Sequence, residues 1–127
     1  MSYFKSITVA TVLSTGLFLS AIAQAHPKLL SSTPAEGATV AAPEKIELHF
    51  SEKLMTQFSG AKLIMTDMPG MPNSPMGVKA RVAGGADPKT MVITPAAPLT
   101  SGTYKVEWRA VSSDTHPITG AVTFKVN

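Results

Sequence analysis

Residues 103–110 read Thr103-Tyr104-Lys105-Val106-Glu107-Trp108-Arg109-Ala110. Tyr104, Val106 and Trp108 fall on one line, and Lys105, Glu107 and Arg109 on the opposite one. Successive side chains of a strand point to opposite faces, so this alternation predicts a strand with one face buried and one in water. The pattern recurs on both sides. Residues 121–126 place Val122, Phe124 and Val126 on one face, and residues 45–50 do the same with Ile46, Leu48 and Phe50 against Glu47 and His49. Segments 61–65, 78–82 and 91–94 are weaker strands, and 28–31 reads as a first strand. Ten prolines and nine glycines break the chain at short intervals, which gives turns between short strands rather than long helices. Seven short strands with turn signals predict an all-β fold, a small sandwich or Greek-key barrel.

The chain should be divided before its core is considered. It opens with Lys5, an apolar run over residues 7–22, and Ala23-Gln24-Ala25. A charged start, an apolar stretch and small residues at an A-x-A site describe a secretory signal peptide over residues 1–25. The other reading of the run is a membrane anchor, but its Thr and Ser interruptions and the small-residue site favour cleavage. Residues 26–127 then form one small domain. There is no cysteine, so an exported domain of this size is held by packing alone, and a metal site would use His, Met, carboxylate or amine donors. The net charge is +3, with basic residues scattered rather than striped, which excludes a nucleic-acid surface.

Cutting after Ala25 makes His26 the first residue, with an α-amine and an imidazole Nδ1 able to close one chelate ring. Pro27 follows and has no N–H, so the second backbone nitrogen cannot join the coordination and further ligands must come from elsewhere. Asp114-Thr115-His116-Pro117 lies in a loop between two strands, and in an extended segment Asp114 and His116 would point the same way. With His26 they make a nitrogen-rich set with one oxygen, suited to Cu(II) or Zn(II). The competing reading of Asp114-Thr115 is an ordinary turn or cap, with His116 a solvated loop residue.

Residues 65–76 read Met65-Thr66-Asp67-Met68-Pro69-Gly70-Met71-Pro72-Asn73-Ser74-Pro75-Met76. Three prolines and a glycine exclude a regular helix, and the stretch is expected to be a loop. Four of the seven methionines in one such segment exceed what gap-filling in a core requires. Thioethers select Cu(I) and cannot be lost to disulfides; the alternative is an apolar patch for a protein partner. Met55 and Met91 are read as packing residues.

The sequence resembles the periplasmic copper-resistance proteins of the CopC/PcoC family. The likeness runs through His26-Pro27-Lys28, Lys45-Ile46-Glu47-Leu48-His49-Phe50-Ser51-Glu52, the Met segment, and Trp108-Arg109-Ala110-Val111-Ser112-Ser113-Asp114-Thr115-His116-Pro117. It implies a cupredoxin-like Greek-key barrel with copper sites at opposite ends. It implies Cu(II) held by the amine and imidazole of His26 with Asp114 and His116, with Glu52 a minor candidate beside them. It implies Cu(I) held by Met65, Met68, Met71 and Met76. One departure stands out: the family's Cu(I) segments carry a histidine just before Ser-Pro-Met, and this chain has Asn73, whose amide is a poor ligand for a soft ion. His49, on a strand, is no substitute.

The resemblance implies a periplasmic copper carrier or store, not an enzyme, that passes copper to a CopD-like inner-membrane protein or to other periplasmic copper proteins. Binding should weaken on acidification, because the amine and imidazoles must lose protons to ligate. One rival is an oxidase or monooxygenase with an N-terminal copper brace. The other is an Ig-like interaction module without metal.

Overall fold

The computed structural model describes residues 26–68 and 70–127; of residues 71–74 it describes the backbone. Every regular element among the described residues is a strand: β1 (Leu29–Thr33), β2 (Thr39–Val40), β3 (Ile46–Phe50), β4 (Gly60–Met68), β5 (Met71–Val78), β6 (Ala80–Gly84), β7 (Thr90–Pro95), β8 (Gly102–Ala110) and β9 (Ile118–Val126). They form a four-stranded sheet ordered β1-β3-β7-β6 and a five-stranded sheet ordered β2-β9-β8-β4-β5. All described pairings are antiparallel except β2 with β9. This is the expected all-β sandwich.

The alternating residues close the core. Ile46, Leu48 and Phe50 from β3 and Met91 and Ile93 from β7 meet Leu63 and Met65 from β4, Tyr104, Val106 and Trp108 from β8, and Val122, Phe124 and Val126 from β9. Trp108 sets its edge against Phe50, with ring centroids 5.0 Å apart at 75°. It also lies across from Gly120 in the β8–β9 register. Tyr104 stacks on Phe124 at 5.6 Å and is 1% exposed. Its hydroxyl donates to the Thr100 carbonyl at 2.6 Å and accepts from the Thr100 N–H at 3.0 Å, which pins the turn before β8. Tyr104→Phe should therefore lower unfolding free energy by about 1–3 kcal/mol, the cost of stranding those backbone groups, measured by urea denaturation.

Two expectations need correction. The methionine segment is a hairpin, not a loop: β4 runs on to Met68 and β5 begins at Met71, with Gly70 at φ 84° in the turn. Prolines read as breakers are tolerated here because β5 is an edge strand, whose outer side has no ladder to complete. The spacing is irregular, with Met65 opposite Met76 but Asp67 opposite Pro72, so β5 bulges over the stretch that holds Pro75. The expected strand 78–82 is likewise two pieces. β5 ends at Val78 in one sheet and β6 starts at Ala80 in the other, so the chain changes sheets at Lys79.

Candidate metal centre

The loop after β8 is anchored before it turns. Val111 donates its N–H to Ser59 Oγ at 3.0 Å, and its carbonyl accepts from the Met55 N–H at 2.8 Å. Ser112 is buried, and the Thr115 N–H closes a turn onto the Ser112 carbonyl at 2.9 Å. Thr115 sits at φ 63°, a left-handed conformation that is a genuine outlier for a β-branched residue. The segment is therefore not extended, and Asp114 and His116 converge by a tight turn instead. Within it, Asp114 Oδ1 accepts from the His116 N–H at 3.1 Å and from Ser112 Oγ at 3.2 Å. That leaves Oδ2 to face the two imidazoles.

The N-terminal segment reaches the same point from the other sheet. Pro27 is fully buried. Lys28 then pairs twice with Ser51, donating its N–H to Ser51 Oγ at 2.9 Å and accepting from the Ser51 N–H at 2.9 Å. Ser51 follows directly on β3, so His26 is held at that strand's end. Its Nδ1 lies 2.5 Å from Asp114 Oδ2, and the His116 Nδ1 is 3.8 Å from the same oxygen. The two imidazoles are tilted at 51° with centroids 5.6 Å apart. Donor atoms of His26, Asp114 and His116 all fall within 4.8 Å of one another.

His26 Nδ1 is shielded from solvent and makes no hydrogen bond of regular geometry, although a carboxylate oxygen is so close. A buried ring nitrogen beside a carboxylate, with a second imidazole in reach, is a donor set that fits a small divalent ion. Burial raises the Asp114 pKa, but the His116 N–H, the nearby His26 and the Ser112 hydroxyl together outweigh it and hold the carboxyl below its ordinary value. Asp114 is thus ionised, as a ligand must be, into acid solution. A folded-state pKa below the unfolded one stabilises the fold above the ordinary carboxylate range and loses that effect as pH falls through the lowered value. Metal-free Asp114→Asn should therefore be less stable than the parent near neutrality. The gap should begin to narrow near the ordinary carboxylate range, about pH 4, and close as pH falls through the lowered value, which urea titrations across pH would show.

The methionines lie at the far end of β8. The register sets Asp67 beside Thr103 at its start, whereas Gly60 pairs with Arg109 near its finish. The hairpin places Met65 opposite Met76 and Met68 opposite Met71. Met65 is 5% exposed and belongs to the core, while Met68 is half-buried against it and Met76 is 47% exposed. The side chains of Met71 and Asn73 lie outside those described, as do residues 1–25, the segment expected to be a signal peptide. Glu52 is not part of the three-residue cluster among the described residues. His49 points from β3 toward Thr90 and Glu47 instead. Sequence reading gave no role to Ser51 or Ser112, since their value lies in backbone and carboxylate contacts that spacing does not reveal.

A CopC domain family model matches residues 29–127. The chain is 77% identical to Copper resistance protein C of Pseudomonas syringae pv. tomato over 116 residues, 91% of this chain and 92% of that protein. It superposes with a TM-score of 0.76 on the crystal structure of PcoC, a methionine-rich copper resistance protein from Escherichia coli. Identity there is 64%, over 81% of this chain and 100% of that one. CopC from Methylosinus trichosporium OB3b gives a TM-score of 0.66 at 26% identity, over 80% of this chain and 94% of that one. The resemblance read from the sequence is borne out, and the chain belongs to the CopC family.

Proposed function

We propose that this protein is a copper carrier of the periplasm, acting in copper resistance after removal of residues 1–25. The observation that carries the reading is the meeting of His26 Nδ1, Asp114 Oδ2 and the His116 imidazole at one point, in a chain whose relatives are named for copper resistance. The free amine of His26 would add a further nitrogen. Nitrogen donors with one carboxylate suit Cu(II), which heads the divalent affinity order. Asp114 also fills a position that an oxygen-activating copper would need open, so the reading is of a carrier and not an oxidase.

The second station would be the hairpin, with Cu(I) held by Met68, Met71 and Met76. Met65 could join them only by withdrawing from the core. Asn73 adds no soft donor. A CopD-like membrane protein is the recipient that fits a carrier. Titration of processed protein with Cu(II) and with Cu(I), followed by spectroscopy of the ligand set, tests the whole reading. One equivalent of Cu(II) should bind with a nitrogen-rich tetragonal signature and should be lost in His116→Ala. Absence of stoichiometric copper uptake would overturn it.

A further inference from the structure

The outer face of the four-stranded sheet carries a second pair of metal-ligating side chains. On β3, Ile46, Leu48 and Phe50 turn into the core, so Glu47 and His49 share the opposite, solvent-facing side. His49 Nδ1 is 3.0 Å from Oγ1 of Thr90, which is its register partner on β7 and is itself 7% exposed. On the other side of the ring, Nε2 faces Glu47 Oε1 at 3.6 Å. That is too long for a hydrogen bond. The other oxygen of Glu47, Oε2, takes the Lys45 ammonium at 3.2 Å.

We propose that His49 and Glu47 form a second, weaker site for a borderline divalent ion, Cu(II) or Zn(II). In the tautomer whose Nδ1–H donates to Thr90 Oγ1, the one that metal binding would select, Nε2 keeps its lone pair. It then faces a carboxylate oxygen that is also only an acceptor. Two acceptors turned toward each other across 3.6 Å leave a gap that ligand bonds of about 2.0–2.2 Å can bridge. A ring whose second nitrogen is bonded to a fixed hydroxyl is oriented as metal-bound imidazoles usually are. Imidazole with carboxylate selects Cu(II) and Zn(II) over harder or softer ions. Both side chains are partly exposed, so water completes the coordination. The Lys45 charge beside Glu47 opposes the ion, which keeps the site weaker than one with more protein donors. None of these residues belongs to the His26 cluster, so the site stands or falls independently of it.

The test is a Zn(II) titration of ¹⁵N-labelled processed protein, read on the ring nitrogens of its histidines. The His49 Nε2 resonance should move and saturate at higher Zn(II) than those of His26 and His116. Glu47→Gln should weaken that response by about tenfold or more, and Lys45→Gln should strengthen it. His49→Gln should remove this class of binding while His26 and His116 respond as before, which also reports that the fold is intact. A His49 ring that stays unmoved at millimolar Zn(II), as a protonated ion-pair partner would, overturns the proposal. So does a response unchanged by Glu47→Gln.

Discussion

Acetylating the α-amine of His26 should weaken Cu(II) binding by at least about 100-fold relative to the free chain that begins there. Loss of a partner that merely orients a ligand costs about 10–100-fold, and here a ligand itself is removed. Acetylation converts the amine into an amide, supplies no new amine and breaks the chelate ring. The imidazole stays where it was, because Pro27 is buried and Lys28 is pinned on both sides to Ser51. Nor can the next backbone nitrogen compensate, since Pro27 offers no N–H to ionise. Competition with a chelator of known strength measures the difference. Equal affinity in the two forms would remove the amine from the ligand set and leave the three side chains to hold the ion alone.

Gly120→Val should be among the most destabilising single substitutions on β9. A Cβ at Gly120 would lie 2.4 Å from Cζ2 and 2.8 Å from Cε2 of Trp108, well inside contact distance. The indole cannot easily yield, because it is 7% exposed and its ring abuts Phe50 at 5.0 Å. Overpacking of this kind costs about 1–3 kcal/mol, and a branched side chain belongs at the upper end. In a domain of this size each kcal/mol lowers Tm by roughly 4–8 °C. Thermal unfolding followed by the fluorescence of the single tryptophan reads both the loss and the displaced ring. A Tm within a degree of the parent would show that β8 and β9 can part without penalty.

Much of the fold was legible because the central strands obey one rule. β3, β8 and β9 alternate strictly, and every residue assigned inward on them is buried. The methionine hairpin was misread because proline signals a break only where both sides of a strand need hydrogen bonds, and sequence does not say which strand lies at an edge. Met65 was legible in principle. It stands two residues after Leu63, so period-two alternation puts both on the buried face. The meeting of Asp114 and His116 was foreseen for the wrong local reason, since the left-handed Thr115 rather than an extended run brings it about. That His26 reaches them depends on Pro27 and Ser51, contacts between distant parts of the chain that no local pattern records.

β8 joins the two poles of the molecule in a single stiff element of nine residues, which at about 3.3 Å each separates them by roughly 30 Å. No ligand-by-ligand handover can cross such a gap inside a closed apolar interior. An ion bound at one pole, as proposed, would reach the opposite pole only by passing through solvent or by a collision between two protein copies. In the collisional case, interchange would be second order in protein, and a docking partner would have to choose which pole it faces.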